Sequence, residues 1–189
     1  MKQTLFKHLK EVKNLDSEGI FLVPSETNLN IFYAMIIGGN DTPYEGGFFM
    51  FEFNFENDYP NNPPLCTFLN TNIYNRGRVN PNTYQSKYKG KVCLSLLGTW
   101  GTKTWDPDRS SIGEVLLAIK AMVFVKDPLQ ECEPPYKHSL YLRDGYTYSV
   151  MVLTFMDYIL GTIKKMKDDS FTECYIEPFR DIILDYINE

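Results

Sequence analysis

A chain of 189 residues with a formal charge of −5 and a pI near 5.1 fits one domain, and it has no basic excess with which to track a phosphate backbone. Hydrophobic residues make up 43% of it, with 13 Phe and 13 Tyr, enough for a sizeable core and against wholesale disorder. The opening MKQTLFKHLKEVKNL has no apolar stretch, and no run of ~20 apolar residues follows, so neither a signal peptide nor a membrane span is expected.

Helical spacing in TLFKHLKEVKNL puts Leu5, Leu9 and Val12 on one face, with Leu15 at its end. Lys7, Lys10 and Lys13 fall on the opposite side, either as a solvated face or as a basic docking surface for an acidic partner. Short strand-like runs follow at residues 19–23 (GIFLV) and 30–37 (NIFYAMII). After the turn-rich GGNDTPYEGG, the run FFMFEFNF alternates, placing Phe49, Phe51, Phe53 and Phe55 on one face of a third strand. Its other face carries Phe48, Met50, Glu52 and Asn54, which suits an antiparallel meander with one face on the core. DYPNNPPL breaks the chain, and LCTFL supplies a fourth strand.

From Leu69 to Asp108 no strong periodicity is present apart from the apolar piece around Cys93, a pattern common in functional loops. Helix resumes at SSIGEVLLAIKAMVFV, where Ser111 and Glu114 have capping-box spacing and Val115, Leu116, Ile119, Met122 and Val123 form the expected buried stripe. Two further helical patterns run over residues 146–167, marked by Val150, Leu153, Met156 and Ile159, and 173–188, marked by Ile176, Phe179, Ile183 and Tyr186. Grouped strands followed by helices give an α+β class.

Cys66, Cys93, Cys132 and Cys174 form no CxxC pair, and the histidines are His8 and His138 alone. Free thiols in a reducing compartment, cytoplasm or nucleus, are expected, with no metal site.

Order and motifs together resemble the ubiquitin-conjugating enzyme (UBC) family. NDTPYEGGFFMFEFNFENDYPNNPP is similar to the family's stretch from the PYEGG loop to the YPxxPP turn. VNPN stands in the place of its His-Pro-Asn motif, GKVCLSLL in that of the segment bearing the active cysteine, and TWDP and IGEVLLAIKAM in those of the elements after it. The likeness is closer to the large, elaborated members, which have Asn-Pro-Asn and extra C-terminal helices. It implies the UBC fold: an N-terminal helix, a four-stranded antiparallel meander, a long active-site loop segment and C-terminal helices. Residues 1–136 would form the core domain and residues 137–189 a helical extension packed on it.

The resemblance also implies the chemistry. Cys93 would be the nucleophile that carries ubiquitin, or a ubiquitin-like modifier, as a thioester. Asn82 would stabilise the oxyanion formed when that thioester is attacked, against the simpler reading of an Asn that shapes a turn. Asn80 and Pro81 would support Asn82. Glu133, with Asp127 and Glu131 as substitutes, would be the acidic group near the incoming lysine, or merely an exposed loop carboxylate. Trp105 and Pro107 fall where the family's ligase-facing loop lies, and Trp105 is equally suited to core packing. The implied partners are the modifier, an activating enzyme, a ligase and a protein substrate, with no nucleic acid, membrane or cofactor, since ATP belongs to the activating enzyme. The rival reading is a non-catalytic UBC-like module that binds ubiquitin or acts as a scaffold. Two departures stand out: Asn61 replaces an aromatic that many members use to dock ligases, and QSKYKG lengthens the path from Asn82 to Cys93.

Overall fold

The computed structural model describes residues 2–69, 78–84, 90–132, 139–167 and 175–188. Helix α1 (Lys2–Val12) runs into a 3-10 turn (Lys13–Glu18) that ends at Gly19, whose φ of 66° is the left-handed conformation that stops a helix and reverses the chain. Strands β1 (Ile20–Pro24), β2 (Ile31–Ile37), β3 (Phe48–Asn54) and β4 (Leu65–Phe68) then form an antiparallel sheet in sequence order. All four fall where alternation and turn residues predict them, within a residue or two at each end.

The register puts Phe51 of β3 between Ala34 of β2 and Phe68 of β4. Phe49, Phe51 and Phe53 are fully buried and Phe55 nearly so, packed with Leu5 and Val12 of α1 and with helix α2 (Ile112–Met122). A buried aromatic contributes roughly 3–5 kcal/mol against alanine, so this row of rings is the main anchor of the fold.

The opposite face of β3 departs from expectation. Phe48 and Met50 are buried too, in a second cluster with Met166, Ile176, Phe179 and Ile183 from the C-terminal helices. The sheet is therefore covered on both sides. Glu52 and Asn54 stay half-exposed because the covering helices reach only part of that face. Strand alternation had distinguished the two faces of β3 correctly, but Phe48 and Met50 marked a second core.

The capping box at α2 is present: the Ser111 hydroxyl accepts the Glu114 N–H and the Glu114 carboxylate accepts the Ser111 N–H. Val115, Leu116, Ile119 and Val123 are buried as expected, whereas Met122 is 60% exposed because Ile112 and Phe124 complete the stripe instead. A short helix α3 (Pro128–Cys132) follows, opened by the proline that cannot sit inside a helix. Helix α4 (Leu140–Leu153) begins earlier than the periodicity suggests, capped by the Ser139 hydroxyl. It passes through a π-helical stretch (Thr154–Ile159) into α5 (Leu160–Lys167). The widened turn carries burial forward in steps of four, to Val150, Thr154, Tyr158, Thr162 and Met166. Hence Met156, expected inside on a step of three, lies outside. Val150, Leu153 and Tyr158 belong to the same cluster as the inner sheet face. A 3-10 turn (Glu177–Phe179) and helix α6 (Arg180–Asn188) complete the described chain.

On the buried face of α1, which also carries Leu5 and Val12, the ring of His8 stands edge-on to Tyr59, and its Nδ1 and the Tyr59 hydroxyl share a hydrogen bond of 2.6 Å. Burial, the largest influence, holds the His8 pKa below its ordinary 6.5. As pH falls below about 6.5 the unfolded chain takes up a proton that the folded one resists, so this contribution to stability is present at neutral pH and lost with acidification. The thermal midpoint should drop between about pH 7.5 and about pH 5.5, and drop less in His8→Gln, as read by circular dichroism.

Candidate active site

Three chain segments meet beside the edge of β4. Phe68 donates its N–H to the carbonyl of Gly90 at 2.7 Å, and Thr67 bridges to Lys91 in antiparallel fashion. Gly90 has a φ of 63°, and a Cβ there would lie 2.2 Å from the Phe68 carbonyl oxygen, so only glycine admits this approach. Residues 91–93 pair in turn with 82–84. Thr83 faces Val92, the Tyr84 N–H donates to the Lys91 carbonyl at 2.9 Å, and the Cys93 N–H donates to the Asn82 carbonyl at 2.8 Å. Asn82 and Cys93 are thus opposed across a short antiparallel ladder. Opposed side chains on such a ladder leave from the same face, roughly 5 Å apart at Cβ. The lengthened connection leaves and rejoins on this ladder, so it does not separate the two residues; its residues 85–89 lie outside those described.

The turn that carries Asn82 is fixed by Asn80, which is fully buried. Its Oδ1 accepts the Asn82 N–H at 2.7 Å. Its Nδ2 donates to the Val123 carbonyl at the end of α2 (2.6 Å) and to the Tyr44 hydroxyl (2.9 Å), with the Cys132 sulfur of α3 at 3.4 Å. Tyr44, from the PYEGG turn, passes its own proton to the Val79 carbonyl at 3.1 Å. One side-chain amide therefore joins four elements. Pro81 is buried between the two asparagines, and Arg78 donates to its carbonyl at 3.0 Å while standing over the Tyr84 ring. Asn80→Ala should destabilise the fold by about 3 kcal/mol in urea titration, since it leaves the buried Val123 carbonyl and the half-buried Asn82 N–H without this partner.

The Cys93 side is braced separately. The Thr99 hydroxyl accepts the Leu94 N–H at 2.9 Å and donates to the Val92 carbonyl at 2.6 Å, clasping the residues on either side of Cys93. Leu94 and Leu97 are buried, so the segment is tied to the core. Cys93 itself is 6% exposed. Cys66, on β4, is half-buried, and desolvation of its thiol raises its pKa, which disfavours the thiolate.

The other residues singled out in the sequence are placed as follows. Trp105 is buried, donates its indole N–H to the Pro60 carbonyl at 2.7 Å, and packs on Tyr59; Pro107 is exposed. The Asp127 carboxylate is held by the Arg143 guanidinium and accepts the Gln130 N–H, and the exposed Glu131 accepts the Asp127 N–H at 2.9 Å. Glu133 lies outside the described residues. Lys7 and Lys10 are exposed along α1, and Lys13 is exposed at the start of the 3-10 turn that follows. Tyr44 and Thr99 were not singled out. Tyr44 lies in the turn-rich PYEGG stretch, whereas nothing around Thr99 marks it as a clasp.

The fold has a known counterpart among solved structures. The E2 domain of a ubiquitin conjugating enzyme from Toxoplasma gondii superposes with a TM-score of 0.61, covering 84% of this chain and 99% of that one, at 24% identity. That likeness establishes the UBC fold. The family model described as "Ubiquitin-conjugating enzyme" matches residues 4–146, and the chain belongs to that family. It is 37% identical over 150 residues to human ubiquitin-conjugating enzyme E2 Z, covering 78% of this chain and 40% of that protein. It is 39% identical over 126 residues to the human dual E2 ubiquitin-conjugating enzyme/E3 ubiquitin-protein ligase BIRC6, covering 65% of this chain and 2% of that protein. The chain thus spans well under half the length of these curated relatives.

Proposed function

We propose that the chain is a working conjugating enzyme that accepts ubiquitin or a ubiquitin-like modifier on Cys93 and passes it to a substrate lysine or a ligase. The observation that carries this reading is the backbone bond that opposes Asn82 and Cys93 across an otherwise irregular region. A non-catalytic module would need neither residue at this position.

In the first step the Cys93 thiolate attacks the carbonyl carbon of the modifier's thioester on the activating enzyme. The new C–S bond forms, and the activating enzyme's sulfur leaves with the electron pair. In the second step a lysine amine attacks the Cys93 thioester. Its negative oxygen is stabilised by the Asn82 amide, the C–S bond breaks, and the amine loses its proton to a nearby base. Glu133 supplies that acidic group; Asp127 is a poorer choice because Arg143 already engages it. A cysteine with little exposed surface admits a slender chain end better than a bulky one. The basic face of α1 with Lys7 and Lys10, continued by Lys13 in the turn after it, would meet the activating enzyme, and Pro107 a ligase. Free thiols at Cys66, Cys93 and Cys132 suit the cytoplasm or nucleus.

The test is to incubate the chain with activating enzymes, ATP and each candidate modifier. The expected result is an adduct that collapses on addition of a thiol reductant. Absence of an adduct with every activating enzyme tried would favour the binding-module reading.

A further inference from the structure

The helical rod of α4, the π stretch and α5 buries one side and leaves the other without a partner among the described residues. Tyr141 is 85% exposed, Tyr148 69%, Phe155 55%, Leu160 42%, and Val152 and Met156 39% each. Their spacings of seven, four, three to four and four to five residues line them along one face of a rod about 40 Å long. Counting about 150 Å² for an exposed aromatic ring, the stripe offers on the order of 600 Å². Apolar patches of that size mark interaction surfaces, and two such faces together reach the low end of specific interfaces, about 1,200 Å² in total. The family match stops at residue 146, so most of the stripe lies beyond the matched region.

The charges at its ends indicate what covers it. Asp144 is exposed near the N-terminal end of the stripe, and Lys164 is exposed near the C-terminal end. We propose that the stripe pairs with the same stripe of a second copy, antiparallel about a two-fold axis. Setting Asp144 against Lys164 of the partner also sets Tyr148 against the partner's Leu160 and Val152 against the partner's Met156. Phe155 then lies close to the axis. The interface is isologous, so each charge pair and each apolar pair occurs twice. A parallel pairing would bring like charges together at both ends.

Sedimentation equilibrium of the full chain at tens of micromolar should show a dimer. Phe155→Glu should give a folded monomer, with an unchanged circular dichroism spectrum because the residue is exposed. Asp144→Lys and Lys164→Glu should each weaken dimerisation roughly fivefold or more, because each acts twice across the axis. The double variant Asp144→Lys/Lys164→Glu should restore it. A wild-type chain that stays monomeric overturns the proposal. So does a dimer that survives Phe155→Glu, or a double reversal no tighter than the single ones.

Discussion

Cys93→Ser should trap the modifier in an adduct that resists thiol reductants but is released by alkali, and Cys93→Ala should form no adduct at all. The difference is one of leaving groups. A thiol displaces the sulfur of a thioester readily, whereas the serine oxygen of an ester is expelled only by a stronger nucleophile such as hydroxide. Cysteine and serine differ little in size, so the ladder beneath residue 93, made by the backbone, survives either change. Cys66→Ala should leave the reducible adduct intact, because Cys66 lies on β4, outside the ladder that carries residue 93, and desolvation disfavours its thiolate. Gel electrophoresis with and without reductant reads all of these outcomes. An adduct on Cys93→Ala would move the nucleophile elsewhere.

Asn82→Ala should leave charging of Cys93 nearly unchanged and slow discharge to free lysine by roughly 10²–10³-fold, about 3–4 kcal/mol of barrier. The split has a structural basis. Asn82 donates its backbone N–H to Asn80 and accepts the Cys93 N–H at its carbonyl, and alanine keeps both bonds. Only the amide group is removed. If the loss were one of proton removal, raising the pH would repair it by deprotonating the amine. The defect expected here persists at high pH, because the missing donor serves the oxyanion. Single-turnover discharge across a pH series separates the two. A variant that fails equally in charging would instead assign Asn82 to the shape of the turn.

Most of the architecture was legible in the chain because its signals are local. Alternating Phe residues define β3, proline-rich turns separate the strands, and a capping box opens α2. The segment of Cys93 and the asparagine turn were legible through the motif order that the chain shares with its family. Failures arose where burial depends on what arrives from far along the chain. Phe48 and Met50 looked like the lesser face of β3 until α5 and α6 came over them. Met156 looked buried until a wider helical turn moved the inner face by one position. Asn80 read as a support for Asn82, but not as the group whose amide joins Tyr44, Val123 and Asn82, residues from three separate parts of the sequence.

By itself the sequence determined the order of helix and strands, since periodicity, glycine and proline act within a few residues, while the place of the cysteine and the turn before it were read from the family's motif order. Only the tertiary structure decided that Asn82 stands opposite Cys93 in spite of eleven positions of chain. Pairing of that kind rests on backbone bonds between segments, and those bonds carry no side-chain signature. The same holds for Thr99, whose hydroxyl clasps the residues flanking Cys93: one small polar side chain acquires its part only once the chain has folded around it.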